Sequence, residues 1–327
     1  MIIAVDAVGG DHYPKSPVQG AVEAILEHEL LQVILVGPED LIRNELDEYE
    51  YDSSRILIHN APQIIGMNES PAQAVKAKRE SSIVMGLGLQ KAGKCDGFIS
   101  AGNTGALLAA STLLLGKLKG VTRPTIAATY PTIKGFRLLV DAGANLEIRP
   151  EMFVQFAQMA CIYIEEVMGV QNPKIGLLNV GEEEKKGTDE VREAHAILKS
   201  LPNFVGNLEG GDILMAKADV YVSDGFVGNL LLKLGESFPN AIEQLVGATI
   251  KKMNLSAEEA HTVVHVLKAS LAPFNYEFVG GVPFLGVNGV SMVGHGGSSP
   301  RAIKNMILNA VKCVENSINE KIIASLN

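Results

Sequence analysis

Phe98-Ile99-Ser100 runs into Ala101-Gly102-Asn103-Thr104-Gly105, a short apolar run ending in small residues and an asparagine. Three later stretches repeat the pattern. Leu138-Leu139-Val140 leads to Asp141-Ala142-Gly143-Ala144-Asn145, and Ile175-Gly176-Leu177-Leu178 to Asn179-Val180-Gly181-Glu182. Val220-Tyr221-Val222 leads to Asp224-Gly225-Phe226-Val227-Gly228-Asn229. Short apolar runs separated by helical stretches read as strands of a parallel sheet covered on both faces. Their C-terminal ends are expected on one edge of the fold, where open α/β sheets bind ligands. Glycine there lets backbone approach a ligand closely, and asparagine offers neutral donors and acceptors. The expected guest is a polar or anionic small molecule.

Working outward, strands are predicted near 2–6, 33–36, 56–58, 97–100, 136–141, 174–179, 219–223 and 289–293. Helices are predicted over 16–30, 39–48, 70–92, 104–118, 150–168, 188–200 and 298–320. Ser70-Pro71 and Ser299-Pro300 each place a cap residue before a proline suited to the first helical position. Thr188 precedes Asp189 and Glu190, whose charges suit a helix N-terminus. The alternation predicts a three-layer α/β/α fold with a mostly parallel sheet, residues 1–327 forming a single α/β domain. Pro131-Thr132-Ile133-Lys134-Gly135 is expected to be a loop between two strands.

Residues 228–275 depart from the alternation. Leu230, Leu231, Leu234, Phe238, Ile242, Leu245, Val246 and Ile250 recur at helical spacing, and Ser256 before Glu258 and Glu259 opens a second helix. Two helices joined near Asn254-Leu255 predict a protruding helical hairpin inserted in the domain. Packing or dimerisation is its plain role; contact with a membrane or a carrier protein is the sharper one.

The chain has 327 residues, 47% apolar and 20% charged, with a formal charge of −9. Such an acidic balance argues against nucleic acid as the partner. The three cysteines, at 95, 161 and 313, form no CxxC and read as packing residues of a reducing compartment. Asp6 interrupts the first apolar run and no basic segment precedes it, so no signal peptide is expected. Ala106 to Gly116, the most apolar helical stretch, is about half the length that crosses a bilayer. A cytoplasmic protein is expected.

No G-x-G-x-x-G is present, and Gly88-Leu89-Gln90-Lys91-Ala92-Gly93-Lys94-Cys95 only mimics a phosphate-binding loop. It follows a helix, precedes a strand and ends in cysteine, so a helix C-terminus at Gly93 explains it better. His295-Gly296-Gly297-Ser298-Ser299-Pro300-Arg301 joins a strand to a helix, so free N–H groups and a helix dipole converge there. Phosphate suits that pocket; equally, the serines can simply cap the helix.

Glu182-Glu183-Glu184-Lys185-Lys186-Gly187-Thr188 is a charged, glycine-flanked loop. Lys186 or Lys185 can neutralise a phosphate or a developing oxyanion. Asp224 and Asn229 flank a tight turn, from which the Asn229 amide can donate to a carbonyl oxygen. No metal spacing and no Gly-x-Ser-x-Gly elbow occurs. With no metal, cofactor or covalent intermediate expected, the implied chemistry is direct attack by a bound anion. The candidate catalytic residues are Lys186, Lys185 and Asn229. The candidate substrate-binding residues are Asn103, Thr104, Asn145, Asn179, Glu182, Asp224, Gly225, His295, Gly296 and Ser298.

Taken in order, these loops, with Val5-Asp6-Ala7-Val8-Gly9-Gly10-Asp11 and Lys185-Lys186-Gly187, resemble the signature blocks of bacterial phosphate acyltransferases. The resemblance runs from residue 1 to about residue 315. It implies transfer of a long-chain acyl group from acyl carrier protein to inorganic phosphate, giving acyl phosphate for phospholipid synthesis. It also implies an isocitrate/isopropylmalate-dehydrogenase-like fold shared with phosphate acetyltransferases, a homodimer, and peripheral attachment to the inner face of the membrane. Residues 245–271 are the candidate membrane contact: Val263, Val264 and Leu267 offer an apolar face, while Glu258 and Glu259 oppose anionic lipid. Two other readings compete, an oxidoreductase of the isocitrate-dehydrogenase-like architecture and a non-catalytic membrane or carrier-protein scaffold.

Overall fold

A computed structural model describes residues 1–274 and 280–326; residue 275, at the end of the predicted hairpin, lies outside them. The first part of the chain supplies β1 (Ile2–Asp6), α1 (Lys15–Glu27), β2 (Gln32–Gly37), α2 (Glu39–Leu46) and β3 (Ile56–Asn60). It continues with α3 (Pro71–Ala77), α4 (Ser82–Lys91), β4 (Gly97–Ser100) and α5 (Thr104–Leu114). Next come β5 (Thr125–Thr132), β6 (Gly135–Val140), α6 (Pro150–Met168), β7 (Ile175–Leu178), α7 (Asp189–Leu198), β8 (Phe204–Leu208) and α8 (Gly210–Leu214). The rest comprises β9 (Val220–Val222), α9 (Gly225–Lys252), α10 (Ala257–Leu271), β10 (Val282–Leu285), β11 (Val290–Val293), α11 (Pro300–Glu315) and α12 (Ile318–Ser325).

One eleven-stranded sheet unites them in the order β3-β2-β1-β4-β11-β10-β5-β6-β9-β7-β8. Three successive antiparallel pairings, β11 with β10, β10 with β5 and β5 with β6, reverse the strand direction an odd number of times. The half from β3 to β11 therefore runs opposite to the half from β6 to β8. This corrects the expectation that all four asparagine-bearing loops share one edge of a single parallel array. Val293 at the end of β11 pairs with Val282, Phe284 with Ile126, and Ala127 with Val140 at the end of β6. Counted along these ladders, the ends of β11 and β6 are level to within about two residues. The two sets of C-terminal strand ends thus converge from opposite directions.

Helices cover both faces. In α6, Met152, Phe153, Phe156, Ala160, Tyr163 and Ile164 recur every three or four residues and are buried against β6, β9 and β7. Each large side chain so buried contributes about 1.5–3 kcal/mol. Pro150 starts this helix and Gly169, at φ 75°, ends it in the left-handed region. On the other half, α1 packs beside α11 over β1 and β2, and Ile303 and Ile307 share a cluster with Val18, Val22 and Ile25.

The eight expected strands form. The predicted helix over 70–92 is two: Lys78 ends the first, and the Ser81 hydroxyl accepts from the Val84 N–H to start the second. The predicted helix over 298–320 likewise breaks at Ser317, whose φ is 51°. Gly93 sits just past α4 at φ 67°, as a helix C-terminus requires. Residues 131–135 make the tight turn of the β5–β6 hairpin, Thr132 pairing with Gly135. Strands β5, β8 and β10 lie outside the predicted strand ranges, although the loop expected at 131–135 implies a strand where β5 stands.

Candidate active site

The converging strand ends enclose a cavity of about 380 Å³. Gly102, Thr104, His295 and Gly296 reach it from one half of the sheet, Ala142, Gly143 and Asn229 from the other. Its size is that of a small-molecule site.

Two buried carboxylates hold its walls. The Asp6 carboxylate accepts from the Ser100 hydroxyl at 2.6 Å and the Val8 N–H at 3.2 Å, and Ser100 Oγ accepts in turn from the Gly102 N–H. This ties the end of β1 to the end of β4. Asp11 N–H donates to the Gly296 carbonyl at 2.7 Å, bracing the glycine loop after β11. Asp141 does more. Its oxygens accept from the N–H groups of Ile126, Gly143, Ala144 and Asn145 and from the Asn145 amide. Burial pushes its carboxyl up, and the donors of Ala144, Asn145 and Ile126 pull it back. The loop after β6 is thereby wrapped around one side chain.

Helix α9 docks on that loop through glycines. A Cβ at Gly228 would lie 1.8 Å from the Asp141 carbonyl oxygen, and one at Gly225 would lie 2.6 Å from the Asn145 carbonyl oxygen. Only glycine at both positions, three apart on one helix face, permits the approach. Asp224 caps the helix by accepting from the Val227 N–H at 2.8 Å. The result sets Asn229 against Gly143, whose φ is 122° and where a Cβ would lie 3.3 Å from the Asn229 side chain. Among the described residues, no hydrogen bond engages the Asn229 amide.

Across the cavity, α5 presents its N-terminus. The Asn103 side chain accepts from the Ala106 N–H, which leaves Thr104 and Gly105 without intrahelical acceptors for their N–H groups. His295 Nδ1 accepts from the Gly297 N–H at 3.1 Å, shaping the glycine turn ahead of α11. An anion here meets helix dipoles, exposed backbone donors and an amide, which suits phosphate and a developing oxyanion.

Of the residues singled out from sequence, Thr104, Asn229, His295 and Gly296 line the cavity. Others support it. Asn103 donates to the carbonyls of Gly66, Met67 and Glu69 as well as capping α5. Asn145 donates to Asp141 and to the Pro124 carbonyl, so its amide is spent. Ser298 is buried and donates to the His295 carbonyl. Asp224 and Gly225 seat α9. The loop after β7 stands apart. Asn179 donates to the Lys186 carbonyl and Glu182 pairs with Lys217. Lys185 and Lys186 are exposed and do not line the cavity. Among the described residues, the lysine that does is Lys233, one helical turn beyond Asn229 and paired with Glu236 at 2.7 Å. Its i+4 spacing from Asn229 was the signal that could have found it.

This fold is shared with solved phosphotransacylases and with a 4-hydroxythreonine-4-phosphate dehydrogenase. A phosphotransacetylase from Streptococcus pyogenes superposes with a TM-score of 0.64 at 18% identity, covering 96% of this chain and 94% of that one. A 4-hydroxythreonine-4-phosphate dehydrogenase from Klebsiella pneumoniae gives 0.54 at 14% identity, covering 96% and 98%. In sequence, the phosphate acyltransferase of Chlorobaculum parvum is 46% identical over 100% of this chain and 99% of its own length. That of Halothermothrix orenii is 42% identical over 99% and 96%. Residues 1–321 match the family described as fatty acid synthesis protein. The chain belongs to that family, among the bacterial phosphate acyltransferases, and is an acyltransferase acting on phosphate.

Proposed function

We propose that the protein transfers a long-chain acyl group from acyl carrier protein to inorganic phosphate, giving acyl phosphate for phospholipid synthesis and releasing the carrier thiol. The observation that carries this reading is a cavity in which an anion-binding end, at Thr104, His295 and Gly296, adjoins the amide of Asn229. Phosphate held by the N-terminus of α5 and the glycine turn attacks the thioester carbonyl. The Asn229 amide donates to the tetrahedral oxyanion, and collapse expels thiolate, a good leaving group. Holding the two reactants together and stabilising the developing oxyanion both lower the barrier. In this reading the exposed Lys185 and Lys186 touch no reacting atom.

The test is to incubate purified protein with palmitoyl-acyl carrier protein, with and without inorganic phosphate. Free thiol and hydroxylamine-trapped acyl phosphate are then followed. Release of both only with phosphate supports the reading; bound carrier with no release supports a scaffold.

A homodimer belongs to the same proposal. Phe226, Leu230, Leu234 and Phe238 recur every four residues along α9 and are exposed in the single chain, and α10 buries none of its residues. A second copy covering this face accounts for both, and mass measurement in solution checks it. No helix among the described residues is long and apolar enough to cross a membrane. Peripheral contact through 245–271 is proposed on the exposed Met253, Val263, Val264 and Val266, against the acidic pair Glu258 and Glu259.

A further inference from the structure

The cavity does not end at Asn229. Ile126, Ala128 and Tyr130 alternate on β5 and so share one face of the strand, and all three line it. Opposite them runs α9, with Leu232 and Gly235 on the cavity. From Ile126, beside the Asp141 loop, to Tyr130 the strand rises about 13 Å, the reach of about ten carbon–carbon bonds of an extended chain. Most of the wall over that length is apolar, with Phe136 at its far end, and Thr129, Lys233 and Glu236 are its polar members.

At this far end the strand and the helix close on each other. A Cβ at position 235 would lie 2.8 Å from both Cε2 and the hydroxyl oxygen of Tyr130. Gly235 is buried, and the Tyr130 ring fills the space a side chain there would occupy. Burial pushes the Tyr130 hydroxyl up, so it stays a neutral phenol at physiological pH.

We infer that the groove between β5 and the first turns of α9 holds the acyl chain, and that Tyr130 seated on Gly235 is its floor and sets the preferred chain length. The groove is continuous with the site where Asn229 meets the thioester carbonyl, so a chain attached to that carbonyl has this apolar path beside it. The inference rests on the acyl-transfer reading. Apolar complementarity is worth enough per methylene to discriminate chain lengths.

The experiment compares wild type, Tyr130→Ala and Ala128→Leu on carrier-protein thioesters from hexanoyl to stearoyl, as the ratio of kcat/KM for the longest to the shortest donors. Tyr130→Ala lowers the floor and raises that ratio by about tenfold or more. Ala128→Leu narrows the groove and lowers it by a similar factor. An unchanged ratio in Tyr130→Ala overturns the inference, whatever Ala128→Leu does. A fluorescent long-chain fatty acid is titrated in parallel, so that the groove is tested without turnover. If wild type shows no phosphate-dependent transfer, the functional reading fails. Weaker fatty-acid binding in Ala128→Leu than in wild type then still supports the groove, and equal binding overturns it.

Discussion

The loops after β6 and β7 look alike in sequence. Each follows a buried apolar strand, each carries glycine, and each offers an asparagine, at 145 and at 179. In the fold they have different fates. The loop after β6 adjoins β5, at the seam where the sheet reverses direction, and Asp141 ties it down with five donors. The loop after β7 lies two strands further out; its Glu184 and Glu182 pair with Lys199 and Lys217 from outside the loop, and its Lys185 and Lys186 are exposed. A polar glycine loop is therefore a site only where the sheet order brings it to face the opposing half.

The comparison can be broken at four points. Asn229→Ala should lower turnover by roughly 100- to 1000-fold, the usual loss for one oxyanion donor, with an unchanged melting temperature. Near-wild-type kcat in this variant would detach the amide from the chemistry. Asp141→Ala strands buried N–H groups on the inner loop and should cost about 3 kcal/mol or more of stability. Thermal unfolding several degrees below wild type is expected, and an unaltered transition would show that the carboxylate is dispensable. The outer loop should be tolerant: a Lys185→Ala/Lys186→Ala double variant is expected to change kcat/KM by less than about threefold, since exposed charges act weakly through water. A larger fall would bring that loop back into the site. Smallest of all is the cysteine effect. Burial pushes the Cys95 thiol up to about 11 and those of Cys161 and Cys313 up to about 12. A thiol reagent at neutral pH should label the folded protein slowly and leave activity intact, with fast labelling only after unfolding.

Sequence showed the parallel strands other than β8 because they are short apolar runs, and it took them for one array. The seam was hidden. In β5, Ala127-Ala128 gives little apolar contrast and Pro131 argues against a strand; β8 carries Gly206; β10 carries Pro283. These three strands form because partners fixed elsewhere accept them, a non-local effect that local pattern cannot report. Two of the three make the antiparallel seam, so the reversal of direction, and with it the position of the cavity, was invisible.

The asparagines divide for a local reason. Asn103 sits at the cap position of α5, where its oxygen is consumed, whereas Asn229 lies five residues past its cap, Asp224. That spacing was readable; the packing of Asn145 under Asp141 was not.

The most direct measurement is a crystal structure of the protein with inorganic phosphate bound. Phosphate is expected between the N-terminus of α5 and the glycine turn at 295–297, within hydrogen-bond reach of Thr104. Phosphate ordered instead on Lys185 and Lys186, with this end of the cavity empty, would contradict the account.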